Sequence, residues 1–175
     1  VYWYGVQTAP GSVMAGTGSK LYLRSAGALD VDAAGSVTGG DTSLTWTGRF
    51  GEFDYATTAT EGRFTFRGTD AIEHLEVDAP ATFVRDVALG GGDDTYRTNA
   101  LGGRASIVKG NAGEDTLLVD TPKRRLKADL GRRVEDKKDG TATRIRGFEK
   151  YVIVAKTAKV RGTNRGESIH VVACK

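Results

Sequence analysis

Gly90 to Val119 reads GGGDDTYRTNALGGRASIVKGNAGEDTLLV, and one short phrase occurs in it twice. The phrase is a Gly-rich turn, a carboxylate, Thr and then apolar residues. Asp94-Thr95-Tyr96 recurs as Asp115-Thr116-Leu117 after 21 residues, and Glu73-His74-Leu75 stands 21 residues before the first copy. Arg67-Gly68-Thr69, Lys109-Gly110-Asn111 and Arg161-Gly162-Thr163 occupy equivalent places. In each, a carboxylate follows the glycine by five positions (Glu73, Asp115, Glu167), with an apolar residue two further on (Leu75, Leu117, Ile169). A fixed period of this size is the mark of a solenoid, in which no coil buries its apolar positions alone and neighbours stack to bury them as a column. The expected column is Val31, Phe53, Leu75, Tyr96 and Leu117, at steps of 22, 22, 21 and 21. An antiparallel sandwich also gives short strands with frequent turn signals, but it requires no 21-residue register.

The expected fold is therefore an all-β solenoid with coils of about 21 residues. At 175 residues one domain is the default. Within it residues 1–60 are divergent N-terminal coils, 61–120 regular coils, and 121–175 basic coils with a loop inserted near 132–141. Cys174 is the only cysteine, so no disulfide forms within the chain, and no run of 18 apolar residues spans a membrane. The chain starts at Val1 with no charged-then-apolar leader and reads as a piece of a larger protein.

Charge is unevenly placed. Residues 1–120 hold 9 Lys+Arg against 16 Asp+Glu, net −7, whereas residues 121–175 hold 16 against 6, net +10. Lys123, Arg124, Arg125, Lys127, Arg132 and Arg133 form the densest basic stretch. Such a block is a solvated face, or it attracts a polyanion such as an acidic polysaccharide. No nucleic-acid partner is expected. Because sequence order in a solenoid is also order along its axis, the gradient suggests attraction of copies head to tail, as a filament, or of adjacent domains of the parent protein.

Taken in order, VYWYGV reads as an apolar edge or cap, with a sugar-stacking platform as the functional alternative. Ser19 to Asp32 is the first credible coil. GSVTGGDT (residues 35–42) has the glycine spacing of a phosphate loop, but Asp41 stands where a lysine is needed. Ser43 to Tyr55 alternates as a strand should. Leu126, Leu130 and Val134 fit either a short helix or strands, with Gly131 against the helix. The step from Gly110 to Gly162 is 52, about ten more than two coils. The final strand, to Ala173, carries no polar capping element.

At LGGGDDTY and GNAGEDTLLVD the chain resembles the haemolysin-type calcium-binding repeat of secreted bacterial RTX proteins, Gly-Gly-x-Gly-x-Asp-x-apolar. ADLG, TRIRGFEKYVIVA and VRGTNRGESIHVVA are similar to the spacer coils of that family. The resemblance covers Arg67 to Lys175 and implies a secreted or cell-surface protein with a right-handed parallel β-helix or β-roll and no catalytic residue in the repeats. It implies calcium as the cofactor, held by Asp94 and Asp115, the carbonyls of Gly90, Gly92, Gly110 and Gly113, and the side chain of Asn111; Ca²⁺ takes six to eight hard oxygens. The departures are Leu89, Asn111, Arg165 and Glu167 in places the motif gives to Gly or Asp. The alternative role of Asp94 and Asp115 is acceptance of backbone N–H bonds. His74 and His170 have no partner at zinc spacing, Cys174 is a poor nucleophile, and carboxylate pairs such as Asp93-Asp94 do not by themselves make a glycosidase. The chain reads as non-catalytic.

Overall fold

The computed structural model describes residues 1–4, 11–16, 18–25, 27–39 and 42–173. The Gly, Asp and Thr clusters break the chain into short alternating segments of Val, Ile, Thr, Phe and Tyr, which suit a pleated sheet buried on one face. In chain order the strands are β1 (Tyr2–Tyr4), β2 (Gly11–Met14), β3 (Ser19–Arg24), β4 (Leu29–Asp32), β5 (Ser36–Gly39), β6 (Thr42–Thr47), β7 (Phe50–Ala56), β8 (Arg63–Arg67) and β9 (His74–Asp78). They continue as β10 (Val84–Gly90), β11 (Thr95–Thr98), β12 (Ile107–Asn111), β13 (Thr116–Asp129), β14 (Arg133–Asp136), β15 (Ala142–Arg146), β16 (Lys150–Arg161) and β17 (Ser168–Ala173). No helix occurs among the described residues.

Pairing sorts these strands into two ladders. The first is parallel throughout: β1, β3, β7, β9, β11, the first half of β13, the first half of β16, then β17. The second runs β2, β6, β5, β4, β8, β10, β12, β15, β14, then the second halves of β13 and β16. In it β5 and β14 are antiparallel to both neighbours and the other contacts are parallel. Val87 pairs with Val108 and Tyr96 with Leu117, so both ladders step by 21 where the chain is most regular.

Alternation then decides the core, since every second residue faces the other ladder. Leu21, Phe53, Leu75, Tyr96, Leu117 and Tyr151 are successive Cα partners and all are buried. Val31 does not belong to this column. It pairs with Val37 on one side and Phe66 on the other and belongs to the facing column, which continues through Val87, Val108 and Ile145. The hairpin β4–β6 separates Val31 from Phe53, so their 22-residue spacing is coincidental. Tyr55 stacks on Phe64 with ring centroids 4.4 Å apart, and Phe53 meets Phe66 edge-on at 5.1 Å, so the two ladders share one interior. Arg85 also faces inward, is wholly buried, and donates to the carbonyls of Ala79 at 2.7 Å and Phe83 at 3.1 Å.

The segment with two readings, Leu126 to Val134, is extended. Leu126, Ala128 and Leu130 are buried at every second position, and Ala128 pairs antiparallel with Val134 across a turn that Gly131 enters at φ +80°. Residues 132–141, expected as a loop, hold β14 as well as a turn. The 52-residue interval divides unequally: Leu117 pairs with Tyr151, 34 residues on, and Tyr151 with Ile169, 18 further.

At the N-terminal end Tyr2 is 62 % exposed and stacks on Tyr22 at 4.4 Å. The side chains of Trp3 and Tyr4, together with Gly5, Val6, Asp41 and Cys174, lie outside the described residues.

Candidate functional site

One acidic residue immediately precedes each of the last five strands of the first ladder: Glu73, Asp94, Asp115, Glu149 and Glu167. Three of them reach back one strand. Asp94 Oδ1 accepts the Glu73 N–H at 2.7 Å, Asp115 Oδ1 accepts the Asp94 N–H at 3.0 Å, and Glu149 Oε2 accepts the Asp115 N–H at 2.9 Å. Glu73 instead closes its own turn, accepting the Thr69 N–H at 3.2 Å and the Thr69 hydroxyl, and Glu167 likewise takes the Thr163 hydroxyl. Glu73, Asp94 and Asp115 are all buried.

Burying carboxylates one above another disfavours their charge. Burial pushes Asp94 up to about 7, against the Glu73 N–H, with Glu73, Asp115 and Asp93 adding to the rise. Burial lifts Asp115 to about 6, and the Asp94 N–H opposes it. Glu73 is raised as well, again by burial. Asp94 Oδ2 and Asp115 Oδ2 are buried with no hydrogen-bond partner.

Some of the atoms implied as calcium ligands hold partners within the protein. One oxygen of each aspartate is taken by a backbone N–H, and the Gly90 carbonyl accepts the Ala112 N–H at 3.1 Å. Among the described residues no three His, Cys, Asp or Glu side chains are grouped to hold a metal ion. The glycines also serve geometry. Gly90, Gly92 and Gly113 have φ of +106°, +92° and +122°, and a Cβ on Gly110 would lie 1.8 Å from the Gly147 carbonyl oxygen and 2.3 Å from Asp115 Oδ2. Asn111 has φ +82°, the one non-glycine residue with positive φ among those described, a conformation that Asn adopts more readily than most residues. Glu149 was not legible from the sequence, because the 34-residue step hides its equivalence to Asp115; the place is found only from the register of Thr116 on Lys150.

The basic stretch divides in two. Arg124 turns to Asp136 and Asp139, Arg132 to Asp129 and Arg133 to Glu135, while Lys123, Arg125 and Lys127 are exposed with no ion pair among the described residues. Further arginines join them in a trough that the linear stretch does not contain. A cavity of about 530 Å³ is lined by Arg132, Arg146, Arg161 and Arg165 with Asp129 and Glu167. A second, of about 260 Å³, shares Asp129, Arg132 and Arg161 with it and adds Lys127 and Arg133. A third, of about 510 Å³, shares Arg133 and Glu135 with the second and adds Arg104, Lys137 and Arg144 together with Asp136. Phe148 and Tyr151 form the buried floor of the first, and burial pushes the Tyr151 phenol up to about 12.

No family model, curated protein or solved structure matches the chain.

Proposed function

We propose that this chain is a non-catalytic structural module of a secreted or cell-surface protein, a right-handed parallel β-helix whose two ladders are two faces of one continuous coil. The supporting observation is that Val87 to Val108 in one ladder and Tyr96 to Leu117 in the other make the same 21-residue step. The Gly-rich turns that resemble haemolysin-type repeats are then corners, and buried carboxylates brace them by accepting N–H groups from the preceding coil. On this reading the hydrogen bonds alone brace the turns, and the melting temperature is expected to be equal in EDTA and in millimolar Ca²⁺. A rise in Ca²⁺ that Asp115→Ala abolishes would restore the metal site, because a ligand that binds only the folded state raises stability.

Removing residues 91–111 tests the coil. The deletion joins Gly90 to Ala112, in the place where Asn111 stood, and leaves every remaining strand with an in-register partner. Cooperative melting with an unchanged strand signature is the expected result, and loss of folding would overturn the reading.

A second reading is end-to-end assembly. All six residues of β17 are exposed and pair only with β16 among the described strands. Ile169 and Val171 stand in the inward column yet are 41 % and 40 % exposed. An apolar coil end with an unpaired edge is a template for another strand, from a further copy or from the parent protein.

A further inference from the structure

From the placement of its cations we infer that the outer face of β13–β16 is a binding site for an acidic polysaccharide bearing carboxylate or sulfate groups. Arg161, Asp129, Arg133 and Arg144 are successive Cα partners across β16, β13, β14 and β15, so they form one row across the sheet. Residues directly opposite share a face, and like charges there are destabilising. This face nonetheless sets Arg133 opposite Arg144, Lys127 opposite Lys159, and, on β12 and β15, Lys109 opposite Arg146.

Several cations elsewhere in the molecule are bridged. Lys20 and Arg24 bridge to Asp54 at 3.4 and 3.1 Å, Arg67 to Asp86 at 3.3 Å and Arg97 to Asp120 at 3.2 Å. By contrast none of Lys127, Arg144, Arg146, Lys159 and Arg161 has a carboxylate within 4.0 Å among the described residues. Lys127 also stands opposite Glu135 and Arg161 opposite Asp129, yet neither reaches bridging distance, and Arg133 alone of the row bridges to Glu135, so the cations of this face outnumber its acids and are suited to an external anion. Guanidinium forks match carboxylate and sulfate oxygens bidentately.

The shape indicates a polymer rather than a single ion. The three cavities share lining residues and run into one another, from Arg165 past Arg132 and Arg133 to Arg104. Arg161 and Arg144 are three strand spacings apart, about 14 Å, so one small anion does not span them. A nucleic acid fits less well, since the two aromatic rings beneath the trough, Phe148 and Tyr151, are buried and offer no stacking surface for bases.

Binding is read by calorimetry at 50 and 300 mM NaCl with three probes: heparin, polygalacturonate and single-stranded DNA. We expect one or both polysaccharides to bind at low salt, which also tells sulfate from carboxylate recognition, with at least tenfold weakening at the higher salt. The double variant Arg144→Ser/Arg161→Ser should weaken that binding tenfold or more while its melting temperature stays equal or rises. A merely structural role would move the melting temperature down instead. Arg63→Ser, on an outer face elsewhere, serves as the control. Absence of polysaccharide binding at 50 mM salt, equal weakening by the control, or DNA bound as tightly as either polysaccharide would each overturn the inference.

Discussion

At Asp94 a single side chain meets two opposing demands. Its Oδ1 satisfies the buried Glu73 N–H, yet burial holds its carboxyl up at about 7. A carboxyl that ionises near 3.8 when unfolded and near 7 when folded gives the native state more bound protons between those values, so stability falls as pH rises through that window and is level above it. The melting temperature of the native sequence is therefore expected to decline from pH 4 to pH 8. Asp94→Asn keeps the acceptor and removes the titration, and should flatten that decline. Asp94→Ala orphans the N–H and should cost about 1–3 kcal/mol at any pH in denaturant unfolding. Asn111 offers a second separation: Asn111→Gly should be neutral, whereas Asn111→Val, forced to φ +82°, should lose about 1–2 kcal/mol. A lowered calcium affinity in Asn111→Gly, with stability unchanged, would contradict a purely conformational role.

Among elements, the regular strands β8 to β13 were legible because glycine, carboxylate and inward apolar residue recur together. The hairpins were not. β5 and β14 alternate like any other strand, and nothing local in SVTG or RVED states that the neighbour runs the other way. The same blindness placed Val31 in the wrong column and concealed Glu149. Register accordingly tolerates changes in some elements and not in others. One residue inserted between Tyr96 and Arg97 would turn the rest of β11 inside out, exposing the position now filled by the buried Thr98, and should abolish cooperative folding. One residue inserted between Asp139 and Gly140, in the exposed turn after β14, should shift the melting temperature by no more than about 2 °C. Equal sensitivity at both places would show that the ladder does not set the register.

For the whole molecule, the partition of charge is finer than a gradient between two ends. Among residues 1–29 there are only Lys20 and Arg24 and no acid, so the acidic portion is the middle of the chain, from Asp30 to Asp120. End-to-end attraction by opposite charge is weakened accordingly, and contact through β17 rests on its apolar positions. Light scattering should then show association that persists or strengthens at 1 M NaCl, where charges are screened over about 3 Å. A monomer at every salt concentration would rule out self-assembly through β17.

The same order of strands governs how the chain bears load. β1 and β17 stand at opposite ends of the first ladder, joined only through successive neighbouring pairs. Tension applied through the two termini acts along the interstrand hydrogen bonds and strains them one row after another, as in peeling tape. Each regular row that lets go adds about 4.8 Å less stack but frees 21 residues, roughly 70 Å of slack. The regular rows from β7 to β13 should therefore yield in near-equal increments when the termini are pulled, whereas the 34-residue step from Leu117 to Tyr151 and the 18-residue step from there to Ile169 should give unequal ones.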